Sequence, residues 1–229
     1  GGSAANSLMA LSAFGGSAYY SCRVADDEPG RFFIDALRAA GVDCTDPAPH
    51  DATAEVDRDT GRCLIMVTPD AERTMLTHLG ISTTLSRAQL DAEALARSRY
   101  LYVEGYLCSS EPAREAAVEA RRQAREAGVA TVLTLSDPSM VLYFREGLEA
   151  MIGEGVDHLF CNLEEGQLWT GRQRPDDVAE ALRRTARTFA LTLGKDGALV
   201  FDGESTTHVP AVPTEPVDTN GAGDMFAGA

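Results

Sequence analysis

The sequence has no Cys-x-x-Cys pair, and its five cysteines (Cys22, Cys44, Cys63, Cys108, Cys161) are odd in number and widely spaced. That argues against a disulfide-stapled secreted framework. It predicts a reducing, cytoplasmic setting in which cysteines serve as small core residues. No apolar run reaches the roughly 20 residues that a membrane-spanning helix needs, and no signal-peptide pattern is visible. The four histidines, His50, His78, His158 and His208, are too scattered to suggest a zinc site. Positive charge is scarce: Lys and Arg total 20 against 35 Asp and Glu, a net charge of -15. Such a field repels nucleic acid but leaves room for a small phosphorylated ligand held by a local nest of backbone N–H groups. No GKS or GKT closes a Walker loop. No early GxGxxG is followed by an acidic residue at the next strand's end, so a dehydrogenase reading fails.

What is present is enough for a substantial core, 229 residues of which 44% are hydrophobic. The chain has no initiator Met, opens on GGSAAN and closes in the first turns of an apparent helix. Both ends are expected to be cut. SAANSLMALSAF reads as a helix rich in small residues, ended by Gly15-Gly16, and Ala18–Val24 as a short strand. The next helix carries an apolar stripe of Phe32, Phe33, Ala36, Leu37 and Ala40, ending at Gly41. Residues 43–80 are broken by Pro47, Pro49, Gly61 and Pro69. Short strands are expected there near 54–56, 63–67 and 74–77, with hairpin turns at DRDTG and TPDAE. Beyond residue 85, strands alternate with helices. Ser86 and Gln89 form a capping box for a helix to Arg97, and a long helix opens at Ser110-Glu111-Pro112 and closes at Gly128. Strands fall near 100–104, 131–135, 158–161 and 188–193, followed by an antiparallel edge at 198–201 and 207–209. Crossover helices between short apolar strands predict a mostly parallel sheet with helices on both faces. The strands end on EGYL, LSDP, CNLEE and TLGKDG, a polar rim where ligands of open α/β sheets sit.

The run DTNGAGDMFAG near the C-terminus places a turn, three small residues and an acid at the start of a helix. Gly221-Ala222-Gly223 lets the backbone approach a ligand, and the helix start offers free N–H groups to an anion. Asp224 repels a phosphate but can accept a proton from a hydroxyl. Anion hole plus base is what phosphoryl transfer to an alcohol requires. Alone, the motif reads equally well as a glycine-rich turn with Asp224 stabilised by the helix dipole.

Eight stretches in order then carry a resemblance: GGSAAN (1–6), VADDEPGRFF (24–33), ERTMLTHLG (72–80), VEGYL (103–107), LSDP (135–138), CNLEE (161–165), TLGKDGA (192–198) and VDTNGAGDMFAG (217–228). Together they resemble the ribokinase-like (PfkB) family of carbohydrate and nucleoside kinases, and within it the bacterial adenosine-kinase-like branch. The resemblance implies a three-layer α/β/α sandwich with a mostly parallel central sheet and a small antiparallel β lid. It divides the chain into the start of the core at 1–42, the lid at 43–80 and the nucleotide-binding core at 81–229. It implies ATP and Mg²⁺, with K⁺ as a further cation, and a small-molecule acceptor rather than nucleic acid or membrane, in a monomer or homodimer. By similarity Asp224 is the base, and Gly221, Ala222 and Gly223 form the anion hole. Gly1, Gly2 and Asn6 bind sugar hydroxyls, and Arg73 belongs to the lid or the phosphate-facing wall. Ser136, Asn162, Glu165, Thr192, Gly194 and Gly197 serve the nucleotide, Glu165 also organising the metal through water. Asp27 and Gly30 form a DxxG signature read as structural, and Lys195 is a solvated charge. The favoured acceptor is the 5′-hydroxyl of adenosine. Ribose, fructose or another carbohydrate remains an alternative, as does a non-catalytic binding protein on the same scaffold.

Overall fold

The computed structural model describes residues 2–48, 58–68, 73–215 and 218–229. The chain divides into two compact units, residues 1–91 with 215–229, and residues 92–214.

In the first unit, helix α1 (Ser3–Ala13) precedes a parallel pair, β1 (Ala18–Tyr20) and β2 (Val42–Cys44), joined through helix α2 (Glu28–Ala39). Strand β1 stops at Tyr20, short of the expected Val24. Beyond it the Cys22 N–H donates to the Thr45 hydroxyl at 3.3 Å instead of continuing the ladder. Ala5, Cys22, Val24, Ile34, Leu37, Val42 and Cys44 form the small core of this unit. The expected stripe on α2 is corrected in one respect. Phe32 is 75% exposed, Gly30, Ile34 and Leu37 are the buried residues of the helix, and Phe33 packs partly buried against the core.

Asp27 ties this unit together. Its Oδ1 caps α2 through the Gly30 N–H at 2.8 Å and accepts the Thr60 hydroxyl at 2.6 Å, while Oδ2 accepts the Thr60 N–H at 2.9 Å. Gly30 is required beside it, because a Cβ there would lie 1.9 Å from the Ala25 carbonyl oxygen. The DxxG signature is thus a helix cap that also anchors a strand farther along the chain.

That strand, β3 (Thr60–Val67), pairs antiparallel with β4 (Arg73–Gly80) in register Leu64↔Leu76. Thr60 and Gly61, expected in a DRDTG turn, belong to the strand. The expected strand at 54–56 and most of the TPDAE turn lie outside the described residues. Cys63 on β3 is exposed, unlike the other four cysteines, which are buried. The capping box at Ser86 and Gln89 is present, but it holds only a single 3-10 turn. Leu90 takes extended backbone angles, so the expected helix to Arg97 breaks, and helix α3 is confined to Ala92–Ala96.

In the second unit β5 (Tyr100–Glu104) leads to the long helix α4 (Glu111–Ala127) and then to β6 (Ala130–Thr134). Pro112 starts α4 and left-handed Gly128 ends it, as the residues predict. Ala113, Ala116, Ala117, Ala120 and Ala124 give α4 a buried face with no bulk, so it lies close to its neighbours. Helices α5 (Pro138–Tyr143) and α6 (Arg145–Ile152) lead to β7 (Val156–Asn162), and α7 (Leu163–Thr170) and α8 (Pro175–Leu182) to β8 (Ala186–Thr192). Strands β9 (Ala198–Phe201) and β10 (Thr206–Val209) complete a six-stranded sheet ordered β10-β9-β8-β7-β6-β5. Its strands from β5 to β8 are parallel, and β9 and β10 form the expected antiparallel edge. The expected α/β/α sandwich with a mostly parallel sheet is borne out. Leu133, Leu148, Leu159, Leu182, Phe189 and Leu191, all fully buried, make its centre.

The chain returns to the first unit as helix α9 (Ala222–Gly228).

Asp27→Ala removes a helix cap and leaves Thr60 without its acceptor. It should lower the unfolding free energy by about 2–3 kcal/mol. Asp27→Asn, which keeps an accepting oxygen, should cost less, and urea unfolding of the three proteins checks the order.

Candidate active site

In the first unit Asp224 lies in the opening turn of α9, whose N-cap Gly221 is left-handed (φ 76°) and uses no side-chain cap. Both carboxylate oxygens are held by α1. The Ser3 hydroxyl donates to Oδ1 at 2.7 Å, and the Asn6 amide donates to Oδ2 at 2.8 Å. Ser3 was not singled out by its sequence context. It falls within the GGSAAN motif, but a serine in a small-residue run at a helix start carries no signal of a partner 221 positions away.

The contact between the two helices sets this geometry. α1 buries Ala5, Ser7 and Ala10, and a Cβ on Gly228 would lie 2.2 Å from the Ser7 carbonyl oxygen. Glycine therefore lets the backbones meet. Of the three expected anion-hole residues, Ala222 turns its N–H to the Thr219 carbonyl at 3.1 Å. The Gly221 and Gly223 N–H groups have no partner among the described residues. A Cβ on Gly223 would meet nothing within 4 Å, and Gly221 faces the Asn6 amide. Gly2 is exposed at the N-cap of α1, again with no side-chain cap. Gly1 lies outside the described residues. Arg73 opens β4, and only its backbone is described.

In the second unit the parallel register places the carboxyl ends of β5 to β8 in one row, with Glu104 opposite Thr134 and Asn162 opposite Thr192. Ser136 follows β6 with φ 71°, the one described non-glycine residue with positive φ. Its hydroxyl accepts the Gly105 N–H at 2.8 Å and donates to Glu104 Oε2 at 3.0 Å, so it is engaged within the fold. Asn162 and Glu165 form a reciprocal capping box on α7. Asn162 Oδ1 accepts the Glu165 N–H at 2.8 Å, and the Glu165 oxygens accept the Asn162 N–H at 3.0 Å and its amide at 2.8 Å. Glu165 is buried, and its carboxyl is pushed up to about 7 by that burial, with Asp137, Glu164 and Glu104 adding to the rise against the Asn162 hydrogen bond. Thr192 ends β8. Gly194 and Gly197 make the turn into β9 at φ 59° and 93°, and a Cβ on Gly197 would lie 2.0 Å from the Val209 carbonyl oxygen. Lys195 in that turn is exposed.

Among the described residues no cluster of three or more His, Cys, Asp and Glu side chains is arranged to hold a metal ion directly. Each Glu165 oxygen accepts one bond from Asn162, which fixes the carboxylate and leaves a lone pair on each that could accept a hydrogen bond from a metal-bound water. Mg²⁺ characteristically keeps several waters and relies on substrate phosphates, so this donor set is compatible with a metal carried by a nucleotide.

Comparison with known proteins extends this picture. The family described as pfkB family carbohydrate kinase matches residues 1–229. Adenosine kinase from Sinorhizobium meliloti is similar at 36% identity and a TM-score of 0.91, covering 100% of this chain and 69% of that one. A probable sugar kinase from Rhizobium etli CFN 42 is similar at 36% identity and a TM-score of 0.89, covering 100% of this chain and 68% of that one. Aminoimidazole riboside kinase of Salmonella typhimurium is 29% identical over 100% of this chain and 71% of its own length.

The environment of Glu165 predicts a pH dependence. A carboxyl raised in the folded state holds its proton where the unfolded chain has lost it. Its stabilising contribution is therefore complete below the unfolded value of 4.5 and is lost as pH rises through about 7. Without added metal, wild-type stability should fall relative to Glu165→Gln by about 2–3 kcal/mol between pH 5 and pH 8. Urea unfolding across that range checks the sign, and ¹³C titration should show one carboxyl titrating near pH 7 that the variant lacks.

Proposed function

This chain belongs to the pfkB family of carbohydrate kinases and is an ATP-dependent phosphotransferase, and from that premise we propose that it phosphorylates the 5′-hydroxyl of adenosine to give AMP. The observation that carries this reading is the Asp224 carboxylate, gripped through both oxygens beside the Gly221 and Gly223 N–H groups, which have no partner among the described residues. A carboxylate fixed in orientation at a helix start, next to such donors, suits a base that works beside a transferring phosphoryl group.

In the proposed reaction Asp224 takes the proton from the acceptor hydroxyl. The freed oxygen pair forms the new O–P bond to the γ-phosphorus, and the bond to the β-phosphate oxygen breaks, releasing ADP. Backbone N–H groups of Gly221 and Gly223 stabilise the phosphoryl oxygens in the transition state. Gly1, Gly2 and Asn6 hold the sugar hydroxyls, and Arg73 serves the lid. Asn162, Glu165, Thr192, Gly194 and Gly197 serve the nucleotide, with Glu165 acting on the metal through water. Because the Ser136 hydroxyl is spent on Glu104 and Gly105, Ser136 serves the nucleotide by holding its loop. Mg²⁺ supplies charge neutralisation on the phosphates, and K⁺ is included as a second cation. The reading carries a cytoplasmic setting; among the described residues no helix is long and apolar enough to cross a membrane.

The nucleoside reading draws support from the likeness to an adenosine kinase and to a kinase of a riboside. A sugar acceptor is the second reading, supported by an equal 36% identity to a probable sugar kinase.

Purified full-length protein with ATP, Mg²⁺ and K⁺ should release ADP when adenosine is added. Asp224→Asn should lower kcat by about 10²–10⁴-fold with little change in acceptor KM. Turnover with ribose or fructose but not adenosine would replace the nucleoside with a sugar. An Asp224→Asn variant with full turnover would remove the assignment of the base.

A further inference from the structure

The assignment of Asp224 as base leaves open what holds it in place. Asp224 stands on a seven-residue helix near the end of the chain, and an aspartate side chain there has freedom about two torsions. Two donors remove that freedom. Ser3 Oγ reaches one carboxylate oxygen at 2.7 Å and Asn6 Nδ2 the other at 2.8 Å. Ser3 and Asn6 are three residues apart on α1, so they share one face, one turn apart. A carboxylate gripped at both oxygens from one helix has its plane fixed relative to that helix.

We propose that Ser3 is a positioning residue for the phosphoryl-transfer reaction: it acts through Asp224, holding the carboxylate at the angle from which it takes the acceptor's proton. The inference rests on the reading of Asp224 as the base. Three features favour this role over that of an ordinary helix-start serine. Ser3 opens α1 directly after its N-cap Gly2, and its hydroxyl donates to an acid 221 positions away. The site is half-buried, where a charge-assisted hydrogen bond is stronger than at the surface. The approach of α9 to α1 that brings the groups together depends on Gly228 against the Ser7 carbonyl, so the spacing is imposed by backbone packing. A carboxylate oxygen has more than one lone-pair site, so the bond from Ser3 leaves capacity for a substrate hydroxyl. The serine hydroxyl therefore need not be displaced for the reaction to proceed.

The test compares wild type, Ser3→Ala, Ser3→Thr and Asp224→Asn in the full-length protein, with ATP, Mg²⁺ and adenosine, ribose or fructose as acceptor. Ser3→Ala should lower kcat about ten- to hundredfold while acceptor KM changes less than about twofold, because the lost bond orients the base and does not hold the acceptor. Ser3→Thr keeps a hydroxyl and should recover most of the lost kcat. Ser3→Ala should still unfold cooperatively with Tm lowered by no more than roughly 2–8 °C, because better helix propensity offsets only part of the lost hydrogen bond, so the loss of kcat is read on a folded protein. A rise in acceptor KM with kcat unchanged would make Ser3 a substrate ligand and overturn the proposal. Unchanged kcat and KM, or a Ser3→Thr variant as impaired as Ser3→Ala, would overturn it as well. If Asp224→Asn retains full activity, the assignment of the base fails first, and the role of Ser3 falls with it. If Asp224→Asn is inactive while Ser3→Ala is normal, only the role of Ser3 is lost.

Discussion

The approach of α9 to α1 is the contact on which the proposed chemistry depends, and it is controlled by the absence of a single side chain. Two helices normally stand 8–10 Å apart because their side chains hold them there. Here Gly228 meets the Ser7 backbone directly, and Ala10, whose Cβ would lie 2.7 Å from a Cβ on Gly228, keeps the facing surface shallow. Short polar side chains then span the gap. Serine and asparagine reach only a few ångströms, so a wider helix spacing would leave Asp224 unsupported. Small residues at Ser7 and Ala10 on α1 and at Gly228 on α9 therefore make sense as a matched set. Each permits the other's approach, although they lie at opposite ends of the chain.

The same economy holds for the other motif residues, most of which perform a local structural task visible in the hydrogen bonds. Asp27 and Gly30 cap α2 and anchor β3. Asn162 and Glu165 cap α7 reciprocally. Gly197 lets the turn after β8 pass against the Val209 carbonyl. None of this conflicts with a role toward a nucleotide. A capping box fixes the side chains at the carboxyl end of a parallel strand, where open α/β sheets receive ligands. It also removes freedom from Glu165, which explains how a buried acid can coexist with a functional reading: its oxygens are satisfied by Asn162, and the cost of charging it appears as a raised pKa.

Legibility followed how local each determinant was. Helix α4 was readable to its ends because Pro112 and Gly128 act on their own backbones. The parallel strands were readable because short apolar runs alternate with crossover helices. The failures have non-local or competing causes. Phe32 fell on the apolar face of a helical count, yet it stays exposed because the small core beneath α2 closes around Ile34 and Leu37. The capping box at Ser86 was real, but it starts only a 3-10 turn, because Leu90 leaves the helical region and nothing local marks that break. DRDTG has turn composition, and Thr60 is nevertheless drawn into a strand by its two bonds to Asp27. In the candidate site, Asp224 and Asn6 stand out in the sequence because each sits in a motif. Ser3 does not, because its significance lies wholly in a contact made across the length of the chain.

The charge balance bears on the choice among anion-binding strategies. A net charge of -15 makes the surroundings hostile to a nucleotide, and a cluster of lysines would be the direct remedy. The candidate segments contain almost none. TLGKDG carries one exposed lysine, and GAGDMFAG carries no basic residue. What they carry instead are glycines that expose backbone N–H groups. Such donors attract an anion only at contact range, so they discriminate by shape and not by long-range field. In the proposed reading this suits an enzyme that must bind a phosphate and place a carboxylate beside it. A lysine in the same turn would compete for Asp224, forming an ion pair that neutralises the base, whereas backbone N–H groups stabilise the phosphoryl oxygens and leave the carboxylate to Ser3, Asn6 and the acceptor.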